Sequence, residues 1–167
     1  MKYCHDTTVN HPLSIRFPQH VDTINNIIAS ESKKEKEIQP QPFTKEVGLL
    51  LDNVKDEVNN SSNDSYLKGM HSVDMVLGMK NDDSKLSLLV EFKLGCNNPI
   101  NIKEGECRDK INDSKILLFG SGIPIHNKYI FIFNYKILQE AKRIVSQRLA
   151  NASGEVLGIE EFKSKYF

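Results

Sequence analysis

The reading turns on His71–Lys93, HSVDMVLGMKNDDSKLSLLVEFK. Lys80–Lys85 (KNDDSK) is made of turn-forming residues, and an apolar run lies on either side of it. The pattern predicts a hairpin, with one strand over Ser72–Met79 and the next over Leu86–Leu94. Side chains alternate across a strand. Leu88, Val90 and Phe92 therefore share one face, and Leu89, Glu91 and Lys93 the other. On the first strand Val73, Met75 and Leu77 take one face, and Asp74 and Val76 the other. With the apolar rows inward, Asp74, Glu91 and Lys93 come to one side of the sheet.

Two carboxylates in reach of each other suit a hard divalent cation. Such an ion activates water and stabilises charge on a phosphate. A lysine beside the pair can hold the attacking water. The spacing resembles the PD-(D/E)XK motif of the restriction-endonuclease-like superfamily. Val73-Asp74 stands for the Pro-Asp pair, without the proline, and Glu91-Phe92-Lys93 for the D/E-X-K. The resemblance implies magnesium or manganese held by Asp74, Glu91 and the carbonyl of Phe92, with Lys93 at the attacking water. It also implies a nucleic-acid substrate, DNA or RNA, and a homodimer, since small nucleases of this kind often pair. The motif is short. Glu followed two residues later by Lys is also an ordinary pattern on the exposed face of an antiparallel strand.

Upstream, Phe17, Val21, Ile24, Ile27 and Ile28 fall at helical spacing and predict a helix over about Pro18–Ser30. Glu31–Pro42 (ESKKEKEIQPQP) reads as a solvated connection or a frayed helix end. The expected organisation is an N-terminal arm with a helix over 1–42 and a main domain over 43–167. Thr44 is a candidate N-cap for a helix whose stripe is Val47, Leu50, Leu51, Val54 and Val58. The superfamily often places a glutamate on its first helix at the metal site. Glu46 matches by position, with Glu57 as a rival, and both also read as solvated flank residues.

Tyr66–Met70 reads as a short strand before the hairpin. Lys103–Phe119 predicts a helix with Cys107, Ile111, Ser114 and Leu118 on its buried face. Lys103, Arg108, Lys110 and Lys115 are candidate phosphate contacts on its polar side, among acidic neighbours. Tyr129–Phe133 is apolar throughout, as expected of a strand covered on both faces. Asn134 precedes another helix with Ile137, Ala141, Ile144, Val145 and Leu149 inward. Glu155–Ile159 is a candidate last strand, with EEFKSKYF as a tail. The order resembles the αβββαβ core of the restriction-endonuclease-like fold over about 43–150: an α/β fold with a mixed sheet flanked by helices.

Composition narrows the function further. The chain carries 22 basic and 22 acidic residues. Phosphate binding usually calls for a basic surface. Residues 85–167 hold 13 Lys/Arg against 9 Asp/Glu, and the first half the reverse. The neutral balance favours a rival, a non-catalytic member of the same fold acting as a binding or assembly module. A plain α/β domain with a decorative E-X-K is the third reading. Cys4, Cys96 and Cys107 form no C-x-x-C, no run approaches a membrane span, and the N-terminus lacks a signal-peptide core. A cytoplasmic protein without membrane contact is expected. No H-E-x-x-H, nucleophile elbow or dinucleotide-binding glycine pattern occurs.

Overall fold

The computed structural model describes residues 1–32, 39–61, 69–82 and 84–167. They form an α/β fold with an open, mixed sheet of seven strands flanked by helices. The first elements are β1 (Lys2–Tyr3), α1 (His5–Val9), α2 (Pro12–Arg16), β2 (Val21–Thr23) and α3 (Ile24–Glu31). Next come β3 (Val47–Leu50) and α4 (Leu51–Ser61). The hairpin is β4 (Met75–Asn81) and β5 (Ser84–Lys93), followed by α5 (Glu104–Leu118) and β6 (Ile125–Phe133). The chain closes with α6 (Leu138–Arg148), β7 (Gly154–Gly158) and α7 (Ile159–Tyr166).

The sheet order is β2-β3-β4-β5-β6-β7, with β1 also paired to β4. β4 and β5 are antiparallel, with Met75 opposite Val90 and Leu77 opposite Leu88. β6 lies parallel to β5, and β7 parallel to β6. A parallel neighbour needs a long crossover, and α5 and α6 supply the two required.

Both faces of the central strands are covered. Met75, Leu77, Leu88, Val90, Phe92, Ile130 and Ile132 pack with Ile24, Ile27 and Ile28 of α3 and Phe162 and Tyr166 of α7. On the opposite face Val76 and Leu89 meet Leu51 and Val54 of α4 and Leu118 of α5. Further along that face Phe131, Phe133 and Val156 meet Cys107 and Ile111 of α5 and Ala141, Val145 and Leu149 of α6. The alternation expected for β5 holds, and so does the buried face of α5. Val73, expected with Met75 and Leu77, packs instead with Val76 and Leu89, because it lies ahead of the strand and does not follow its pleat.

Three boundaries differ from the sequence reading. The helix expected from Thr44 divides at Leu50: Val47–Leu50 is a strand between β2 and β4, and the helix begins at Leu51. A short apolar run has no decisive period, and tertiary pairing settles it here. The helix expected from Pro18 starts only at Ile24, capped by the Thr23 side chain accepting from the Asn26 amide at 3.3 Å. Val21–Thr23 instead pairs with β3. The expected tail is α7, whose Phe162 and Tyr166 are in the core.

Segment 1–42 thus contributes β1 and β2 to the same sheet as the hairpin. Of the strand expected over Tyr66–Met70, residues 66–68 lie outside the described residues, and Gly69–Met70 is not in a strand. Among the described residues no helix is long and apolar enough to cross a membrane.

Candidate functional site

Asp74 stands one residue before β4, at the position that continues the hairpin register opposite Glu91. The ladder stops at Met75, which leaves the next amide on β5 without a backbone partner on that edge. The Asp74 carboxylate fills the gap: Oδ2 accepts the Phe92 N–H at 2.5 Å. Its own carbonyl accepts from the Leu51 amide at 3.0 Å, tying Asp74 to the start of α4. N–H and C=O of one extended residue leave a strand on the same edge. The Phe92 carbonyl therefore also leaves β5 on the Asp74 side.

Glu91 is 2% exposed and lies on the sheet face covered by α4, α5 and α6. Two ammonium groups reach its Oε1: Lys93 Nζ at 2.5 Å and Lys110 Nζ at 2.7 Å. Lys110 also stands 3.6 Å from Asp74 Oδ1, so one cation bridges the two acids. Glu91 Oε2 is buried and has no hydrogen-bond partner among the described residues. α5 is fixed at this place by Ser114, whose Oγ accepts the Val73 amide at 2.9 Å and donates to the Lys110 carbonyl at 2.6 Å. The same helix receives the His71 amide on Asp113 Oδ2 at 2.9 Å.

Burial, and then the charge of Glu91, push the Asp74 carboxyl up to about 8, against the opposing pull of Lys110. Burial works to lower the Lys93 ammonium, but attraction and the hydrogen bond from Glu91 outweigh it and the pKa is raised. Lys110 is raised as well: burial opposes it, and Glu91 and Asp74 prevail. Both lysines are charged at neutral pH.

Asp74, Glu91, Phe92 and Lys93, read from sequence as one site, come together. Glu46 does not join them. It lies just before β3, accepts from the Thr44 amide at 2.7 Å and the Lys45 amide at 3.0 Å, and pairs with Lys163 of α7. With helix start moved to Leu51, Glu46 is not helical at all. Its rival Glu57 is held at the surface by Gln19 and His20, both at 2.7 Å.

Two acids near the site escaped the sequence reading. Glu31 ends α3, and its carboxyl is raised by burial and then by the charges of Asp52 and Glu91. Asp52, in the first turn of α4, accepts from Ser72 Oγ and from Lys55 Nζ at 3.3 Å. Glu31 opens a charged run and Asp52 lies on a helix whose start was misplaced, so neither carried a usable signal. Lys110 did carry one. It falls three residues after Cys107 and four before Ser114, beside the buried stripe.

The remaining basic residues of α5 have partners of their own. Lys103 pairs with Glu106 at 2.7 Å, Arg108 pairs with Glu104, and Lys115 lies over the Tyr129 ring, 5.1 Å from its centroid.

No protein-family model, no curated protein and no solved structure matches the chain.

The residues can be tested for a magnesium fit on chemistry alone. The available donors are oxygens, which suits a hard ion, and magnesium commonly uses only one or two carboxylates and keeps several waters. Among the described residues no group of three or more His, Cys, Asp or Glu side chains is placed to hold a metal. The orphaned Glu91 Oε2 is the observation in favour, since a buried carboxylate oxygen without a partner calls for a water or an ion. Asp74, Glu91 and the Phe92 carbonyl fit in type and number.

Proposed function

We propose that the chain is a metal-dependent nuclease of the restriction-endonuclease-like kind, hydrolysing phosphodiester bonds of DNA or RNA. One observation carries the reading: Asp74 and Glu91 converge on a single cation while the second Glu91 oxygen is buried without a hydrogen-bond partner among the described residues. The order from α3 through β3, the hairpin, α5 and β6 supports it as an αβββαβ arrangement with α4 inserted after the first strand.

Asp74, Glu91 and the carbonyl of Phe92 would hold magnesium or manganese, which supplies Lewis-acid stabilisation of charge developing on the phosphate. Lys93 is anchored to Glu91 and one-quarter exposed, so its ammonium has hydrogens left for a water at the mouth of the site. It orients that water for in-line attack. The water oxygen bonds to phosphorus as the ester P–O bond breaks; the water gives up its proton to solvent, and the leaving oxygen takes one from solvent and departs as an alcohol. Charge rises on the phosphoryl oxygens in the transition state, and a fixed ammonium gains most there.

The test is cleavage of plasmid DNA and of RNA with magnesium or manganese, run beside Lys93→Ala. Cleavage by the wild type that Lys93→Ala loses supports the reading. No cleavage of either substrate with either metal gives the lead to the second reading, a non-catalytic binding or assembly module. Lys110 favours that alternative, because its ammonium already neutralises the acidic pair.

A further inference from the structure

Lys110 approaches the two acids from α5, an element that carries neither of them. Its Nζ is within 2.7 Å of Glu91 and 3.6 Å of Asp74, which is where a divalent ion shared by the pair would sit. Ammonium and metal cannot occupy that place together. The side chain is one-quarter exposed and has a way out. A cavity of about 80 Å³ adjoins it, lined in part by Lys93, Asn101, Lys103, Cys107 and Lys110 itself. Its wall carries three ammonium groups against one carboxylate, that of Glu106, which pairs with Lys103 at 2.7 Å; the balance is positive and suits anionic oxygens. A lysine stem has four rotatable carbons, so Nζ can turn from the acids to this cavity while α5 stays in place.

We propose that Lys110 is a resident counter-ion that a divalent cation must displace, and that the displaced ammonium turns into the adjoining cavity to meet a phosphate of the nucleic acid. The proposal rests on the metal reading of Asp74 and Glu91. While Lys110 is seated, the acids are held together without metal, and metal alone binds weakly. A phosphate that receives the released ammonium favours the displaced arrangement. Metal and nucleic acid then strengthen each other's binding, and linkage makes the effect mutual.

Magnesium alone is titrated calorimetrically into the wild type and into Lys110→Met, in the same buffer across a series of pH values. Lys110→Met keeps the alkyl stem and removes the charge. It is expected to bind magnesium at least about tenfold more tightly, since breaking a buried ion pair no longer opposes the metal. Equal or weaker binding by the variant, with the wild type binding, overturns displacement and leaves the metal site standing. Binding by neither overturns both.

Lys110→Met also removes a buried ion pair that holds α5 against β5, so the wild type supplies a second measurement that needs no variant to fold. Acetylation of Lys110 by an amine-reactive ester, read by peptide mass, should rise several-fold with saturating magnesium, while that of Lys128 stays constant. Unchanged Lys110 labelling with metal bound overturns the proposal.

Discussion

The carboxylate of Asp74 takes the Phe92 amide hydrogen at 2.5 Å, the place in the ladder where β4 has already ended. A side chain thus completes the pairing of a central strand. Asp74→Ala would leave the buried Phe92 N–H without a partner, at a cost of about 1–3 kcal/mol. Asp74→Asn keeps an acceptor and should cost less. Denaturant unfolding of the two variants checks the order, and equal losses would mean that the bond to Phe92 is not what matters.

The Asp74 proton predicts how stability follows pH. Its folded pKa, about 8, lies above the ordinary 3.8. Between the two the native state holds a proton that the unfolded chain has released. The contribution is therefore complete below about 3.8 and lost as pH rises through 8. His11 has the opposite sense: burial lowers it from 6.5 to about 4, so its contribution is lost as pH falls through that range. Of the two groups, only Asp74 acts above pH 6.5. Without divalent ions the melting temperature should fall between pH 6.5 and about 8.5, and Asp74→Asn should flatten the decline. A wild-type profile that is already flat there would remove the proton from Asp74.

Magnesium or manganese should raise the melting temperature by mass action, and Asp74→Asn should abolish the rise. With the Asp74 carboxyl pushed up to about 8, a bound metal would have to release its proton. The shift should therefore grow as pH increases from 7 to about 8.5. A shift that shrinks over this range would place the metal elsewhere.

Lys93→Ala should fold and keep most metal affinity, since Asp74 and Glu91 remain and Lys110 still pairs with Glu91. Cleavage should drop by about a hundredfold or more, the scale of one electrostatic group at a reacting phosphate. Single-turnover kinetics on the substrate that the wild type cleaves provides the measurement. Equal rates would exclude Lys93 from the mechanism.

Gly78 offers a test of the fold that does not touch the chemistry. A Cβ there would stand 2.3 Å from the Thr8 nitrogen and 2.4 Å from the Thr7 carbonyl carbon. Backbone cannot yield as a side-chain tip can, so Gly78→Ala should lose about 1–3 kcal/mol or more. A thermal melt within error of the wild type would mean that α1 does not lie against β4 as described.

The hairpin was legible because Leu86, Leu88, Val90 and Phe92 keep one apolar row and turn residues precede them. The buried face of α5 was legible for a similar reason: Cys107, Ile111, Ser114 and Leu118 keep one helical stripe. β2 and β3 were not, since three or four residues cannot display a period and Val21 and Val47 fit a helix as well as a strand. Nor was α7 recognised, because its stripe of Ile159, Phe162 and Tyr166 was divided between the expected last strand, which was carried through Ile159, and the tail. At the site, the strand residues were found by alternation alone. Lys110 could be placed on the correct helix but not given its partner, since the distance between two elements is a tertiary fact.

β4 is gripped along one edge by two separate pieces of chain. Leu49 and Leu50 pair with its first residues, and Lys2 and Tyr3 with its last. Between them the Cys4 amide donates to the Gly78 carbonyl at 2.9 Å, and the Gly78 amide donates to Thr8 Oγ1 at 2.9 Å. A slip of one residue would turn every side chain of the strand to the wrong face, and this edge forbids it without help from the hairpin's own turn. The turn is thereby relieved of its usual duty of setting register. Loop lengthening between Asn81 and Ser84 is therefore expected to leave the register intact, so this tip is where a label, an epitope or a whole inserted domain should be tolerated while Asp74 stays opposite Glu91, and a melting temperature well below the parent's would show otherwise.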